Sequence, residues 1–160
     1  MPQFDSPHFG TIEYTDDQVV EFPQGLPAFE DQTRFLAHQR METQPVIYLQ
    51  SLTTPNLCFI TLPVETVVPA YRLSLSVEDR RALGLDETKQ PQIPTDGTPT
   101  EVLCLAIVTI PPSESKPQPT ANLAAPVIIH RETRRAIQAI QTEGWYSHQH
   151  PLPVGEGTCS

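Results

Sequence analysis

The chain has 160 residues, with 18 prolines against 7 glycines, 18% charged residues and a formal charge of −9. Such a length fits one domain that buries a core without help from metal or disulfides, and so many prolines favour short elements over long helices. The first 33 residues hold seven acids and no Lys or Arg, which argues against a nucleic-acid backbone as a direct ligand, because phosphate needs a basic footprint.

In chain order, Phe9 to Tyr14 (FGTIEY) alternates in the manner of a strand. Thr15-Asp16-Asp17-Gln18 then supplies turn chemistry before Val19 to Phe22, so the pattern predicts a first β-hairpin. The segment EFPQGLPAFED (21–31) sets two prolines and a glycine among Phe22, Leu26 and Phe29 and reads as a corner. Strands are predicted over Arg34–Gln39, Val46–Ser51 and Leu57–Leu62, at the spacing of small barrels and sandwiches.

Ser76 can cap a short helix that carries Glu78 and Asp79 in its first turn and stops at Gly84. After a polar loop at 88–99, Glu101–Ile110 is the most apolar run and reads as a central strand buried on both faces. A proline-rich connection follows at 111–119. Val127–His130 and Ala136–Gln141 then predict a last pair of strands. The expected architecture is mostly β: a compact antiparallel β-barrel-like single domain, with one or two short helices, over residues 1–152, and a flexible tail at 153–160.

The sequence holds no GxSxG, no glycine-rich phosphate loop, no HExxH and no CxxC. His148 and His150 lack companions at ligand spacing, and the adjacent carboxylates Asp16-Asp17 and Glu30-Asp31 have no reason to split into an acid and a base. No catalytic residue, metal ligand or cofactor is therefore expected. Cys58 and Cys104 sit in apolar runs and Cys159 near the end, which reads as free thiols in a reducing compartment. With no apolar run long enough for a membrane span, the expected location is the cytoplasm.

An ordered series runs through the chain: FGTIEY, EFPQGLPAFED followed by RF, YLQSL with LCF, ANLAAPVII, and RETRR with Gln138 and Tyr146-Ser147. Over residues 8 to 152 this series resembles the bacterial flagellar assembly factor family FliW. The chain departs from the family pattern at Ala28 and Ala136, where Gly is usual, and at His130, where Asn is usual. The resemblance implies a non-enzymatic, barrel-like protein with two protein partners. One is flagellin before export; the other is the translational repressor CsrA, which the factor captures when free of flagellin, relieving repression of flagellin mRNA. Coupling between two such partners is necessarily reciprocal.

Partner-contact candidates divide by chemistry. Asp16, Asp17, Glu21, Glu30 and Asp31 complement the basic surface of an RNA-binding repressor. Leu26, Phe29, Leu123 and Pro126 could face an amphipathic helix or be corner and core packing, and Asn122 could contact a partner or hold a corner by bonding the backbone. Two alternatives stay open: a flagellin chaperone without a CsrA partner, and a small-ligand carrier or enzyme built on a barrel.

Overall fold

The computed structural model describes residues 2–7, 9–26, 29–93, 100–110, 118–141 and 146–152. Parts of the loops expected at 88–99 and 111–119, together with the tail 153–160, lie outside the described residues.

The first hairpin is not the expected one. Strand β2 (Gly10–Glu13) pairs backwards with β1 (Gln3–Ser6), Phe4 opposite Ile12, and β3 (Val19–Glu21) pairs forwards with β4 (Arg34–His38). Local geometry accounts for the change. The short connection between β1 and β2 ends on a residue with positive φ, as compact hairpins commonly do; Gly10 supplies it at φ 74 and Thr15–Gln18 does not. Asp16–Gln18 instead forms a 3-10 turn, with the Thr15 N–H donating to Gln18 Oε1 at 2.9 Å and the Gln18 N–H to the Thr15 carbonyl at 3.0 Å. This turn redirects the chain without folding β3 back onto β2.

From β3 the main sheet is an antiparallel meander through β4, β5 (Ile47–Ser51), β6 (Cys58–Pro63), β7 (Val102–Thr109), β8 (Thr120–His130) and β9 (Ala136–Gln138). A two-residue β10 (His150–Pro151) joins the start of β8. The meander curls until its ends meet: Glu21 and Arg135 form a parallel bridge, and the Glu21 N–H donates to the Arg134 carbonyl at 2.9 Å. The result is a nearly closed barrel.

β7 is buried on both faces, as its composition requires. Leu105, with Leu103 and Ile107, faces a barrel interior that contains Phe22, Phe35 and Leu49. Val102, Cys104 and Ala106 face outward into a second core with Tyr71, Leu73, Leu83 and Leu123. The cover over that outer face comes from the β6–β7 connection, which carries α1 (Val64–Val67) and α2 (Val77–Leu83). Ser76 Oγ accepts the Asp79 N–H at 3.0 Å, and Gly84 at φ 76 ends α2, as the residue types predict. The segment is tied down by the buried Arg80, which donates to the carbonyls of Leu75 and Glu87 at 2.6 and 3.0 Å. Tyr71 does the same through its hydroxyl, 2.6 Å from the Leu123 carbonyl.

β8 is much longer than the expected Val127–His130, because it passes through Pro126. Pairing with β7 jumps from Ile107 opposite Asn122 to Leu105 opposite Val127. In the bulge between these pairs, Asn122 Oδ1 accepts the N–H groups of Ala124 and Ala125 at 3.1 and 3.0 Å. A proline has no N–H to lose there.

Candidate partner-docking site

EFPQGLPAFED folds tightly upon itself. Gly25 has φ 67, and a Cβ there would lie 2.4 Å from the Glu30 carbonyl oxygen. This close approach lets Leu26 and Phe29 exchange backbone hydrogen bonds, the Phe29 N–H reaching the Leu26 carbonyl at 2.7 Å. Leu26 then plugs the barrel at 2% exposure, while Phe29 stays 37% exposed with its ring edge-on to Phe59. Pro27 and Ala28 are outside the described residues.

The five acids do not share one patch. Asp16 and Glu21 line a cleft at the barrel seam together with Arg34 and Arg134, and Asp17 lies close enough to Arg134 to favour its charged form. Glu30 instead faces Glu78 and Asp79 of α2 across a cleft of about 290 Å³, walled by Gln24 and Gln138 with Ala82 and Ile137. Asp31 is exposed on the same turn as Glu30. Glu30, Glu78 and Asp79 thus line one cleft in which no Lys or Arg is among the lining residues. The two α2 acids were legible only as first-turn helix residues, since their approach to Glu30 depends on how the 64–93 cover docks.

Of the apolar candidates only Phe29 reaches the surface. Leu26 and Leu123 are enclosed in the two cores and Pro126 is buried in the β8 bulge, so none of the three offers a surface in this conformation. Asn122 is half-buried, its side-chain oxygen occupied by the backbone of the bulge.

An open apolar surface exists elsewhere, where the sequence pattern gave no warning. Val46, Leu62, Val67 and Leu152, with Pro45, Thr66, His150 and Pro151, line a groove of about 530 Å³ on the outside of the sheet, bounded by α1 and β10. Two residues back along β6, Ile60 and Cys58 continue the same face to a smaller hollow of about 160 Å³ closed by Tyr48 and Phe9. β6 reads CFITLP, apolar in both alternations; its inward residues fill the barrel, while its outward residues are half-buried beside this groove. Burial pushes the Cys58 thiol up to about 11, so it stays protonated and acts as part of an apolar wall. Among the described residues no group of three or more His, Cys, Asp or Glu side chains is placed to hold a metal ion. Among the same residues no helix is long and apolar enough to cross a membrane.

Comparison with known proteins places this architecture among relatives. The family model described as FliW protein matches residues 3–152. The chain is 33% identical over 153 residues to the flagellar assembly factor FliW of Natranaerobius thermophilus, covering 96% of this chain and 93% of that one. It is 31% identical over 143 residues to the protein of the same name from Syntrophomonas wolfei, covering 89% and 83%. A crystal structure of the flagellar assembly factor FliW superposes with a TM-score of 0.76 at 28% identity, covering 95% of this chain and 98% of the other.

Proposed function

The chain belongs to the FliW family of flagellar assembly factors, and on that premise we propose that it binds flagellin in the cytoplasm before export and, when free, captures a CsrA-type translational repressor. The observation that carries the reading is the open groove along Val46, Leu62, Val67 and Leu152. A half-buried apolar groove on a sheet face suits the apolar stripe of an amphipathic helix, and unassembled flagellin presents such helices at its termini. A basic repressor would be drawn instead to the acids, above all to Glu30, Glu78 and Asp79 around their cleft.

The two surfaces differ in physics as well as in place. Groove binding gains from area removed from water and responds little to salt, whereas binding at the acids is screened as ionic strength rises. The protein acts by contact alone: the two partners bind with negative coupling between their surfaces, so occupancy by flagellin leaves less factor for the repressor, and repressor freed in this way again blocks flagellin translation. The test is a mixture of the three purified proteins. Flagellin added to the complex of this chain with CsrA is expected to lower the amount of CsrA retained; undiminished retention at saturating flagellin would reject the coupling. Failure to bind flagellin at all would reject the whole reading.

A further inference from the structure

We propose that the outer edge of β9 is a docking edge that takes an extended, basic segment of a protein partner as an added strand. The hydrogen bonds of the last ladder fix which way its backbone faces. Arg135, Ile137, Ala139 and Gln141 turn toward β8: the His130 N–H donates to the Arg135 carbonyl at 2.8 Å, and the Ala139 and Gln141 N–H groups donate to the carbonyls of Pro126 and Ala124 at 2.9 and 2.7 Å. The alternate residues Ala136, Gln138 and Ile140 therefore present their backbone groups to the opposite edge. There the parallel bridge of Glu21 with Arg135 is the one join to β3 among the described residues. After it the chain turns away through Pro23, the Gly25 N–H closing onto the Phe22 carbonyl at 2.8 Å. Among the described residues the backbone groups of Gln138 and Ile140 consequently meet no partner. AIQAIQ (136–141) carries neither charge nor proline, the usual devices that blunt an open edge, and Ile140 is 68% exposed.

The space beside this edge says what fits. The cleft of about 290 Å³ runs between Ile137 and Gln138 of β9 and, where β3 would have continued, Gln24 and Gly25; Glu78 and Asp79 of α2 line it as well. The cations of α2 are engaged elsewhere. Arg80 is buried against the carbonyls of Leu75 and Glu87, and Arg81 pairs with the Glu87 carboxylate at 3.2 Å. Neither Glu78 nor Asp79 forms an ion pair with a described residue. Side chains of an added strand alternate between the two sheet faces. Ile137 and Ala139 belong to the outer core under α2 and Ala136 to the inner one, so one set of added side chains faces the α2 acids and the other lies level with Ile140. The segment that fits is extended and alternates basic with apolar residues. A second copy of this chain, with a formal charge of −9, is repelled by the same acids. The proposal deepens the reading of the acidic cleft by stating how a basic partner is held there; it rests on that reading for the identity of the partner and not for the edge.

The experiment is amide hydrogen exchange followed by NMR on the full chain, with a short blocked peptide alternating Lys and Val as the probe. In the free chain the Gln138 and Ile140 amides should exchange at least about tenfold faster than those of Ile137 and Ala139, and saturating peptide should slow them at least about tenfold. Two further peptides carry N-methyl groups on all Lys or on all Val backbone nitrogens; one should lose binding and the other keep it, because a strand pairs through alternate residues. Glu in place of Lys in the peptide should abolish binding, and Glu78→Gln combined with Asp79→Asn should weaken the Lys peptide about fivefold or more. Unchanged exchange of Gln138 and Ile140 with the Lys peptide, equal effects of the two methylations, or equal binding of the Glu peptide would overturn the proposal. CsrA binding where the peptide fails would leave the repressor reading standing without the edge; peptide binding where CsrA fails would sink that reading and leave the edge.

Discussion

Substituting Gly25 and Gly84 by Ala separates two costs that glycine positions usually mix. Both residues sit in the left-handed region, at φ 67 and φ 76, so either Ala pays about 1 kcal/mol for its backbone conformation. At Gly84 a Cβ meets nothing within 4 Å, and the cost ends there. At Gly25 it would lie 2.4 to 2.6 Å from the carbonyl oxygen, Cα and carbonyl carbon of Glu30. Those are backbone atoms that cannot swing aside, and displacing the turn adds roughly 2 kcal/mol more, in the range of overpacking. For a domain of this size about 1 kcal/mol lowers Tm by roughly 3 °C, so Gly84→Ala should lose about 3 °C and Gly25→Ala about 9 °C. Far-UV circular dichroism during thermal and urea unfolding reads both. Because Gly25 and Glu30 line the acidic cleft together, Gly25→Ala should also weaken repressor binding, whereas Gly84→Ala should not. Equal losses of Tm in the two variants would refute the close-approach argument.

Other expectations follow from the two surfaces and from His38. Leu62→Gln and Val67→Gln, on the groove wall, should each weaken flagellin binding about tenfold or more, by the transfer energy of an apolar side chain, with repressor binding unchanged by isothermal titration; unaltered flagellin affinity would move that site elsewhere. Glu30→Lys should weaken repressor binding and flatten its salt dependence more than Asp16→Lys, because Glu30 adjoins Glu78 and Asp79 while Asp16 already shares its cleft with Arg34 and Arg134. The reverse order would reject the assignment of the acidic cleft. Burial, and then the charge of Arg40, hold His38 below its ordinary 6.5. The unfolded chain therefore takes up the proton first, and the stability tied to neutral His38 is complete above about pH 6.5 and declines as pH falls through that value. His38→Phe should lessen the drop in urea midpoint between pH 7.5 and pH 5.5; an identical drop would exclude His38 as a contributor.

The features that the sequence disclosed are those fixed by neighbours along the chain. Ser76, Glu78, Asp79 and Gly84 specify α2 because capping is a matter of three or four residues. Glu101–Ile110 announced a doubly covered strand because both alternations are apolar, and β7 packs into both cores. Pairing direction was less accessible: FGTIEY had strand-like alternation, but Gly10 at one end and the 3-10 turn at the other decided that β2 joins β1 and not β3. Pro126 hid most of β8, since the interior of a strand paired on both sides takes proline only at a bulge, and the bulge depends on Asn122 bonding across it. The groove and the acidic cleft both arise where the 64–93 cover meets the barrel. Glu30 gains Glu78 and Asp79, and Leu62 gains Val67, only through that docking.

The seam at Glu21 and Arg134 has a kinetic meaning. Every other contact between adjacent barrel strands joins elements consecutive along the chain from β3 to β9, so each new strand can zip onto the one before it. The bridge between Glu21 and Arg135 instead joins the two ends of the meander, and closing so long a loop is costly until the strands between them have ordered. Closure thus belongs after the rate-limiting barrier. Weakening the seam should hasten unfolding while leaving the refolding rate almost untouched, so the last join made is also the first to let go.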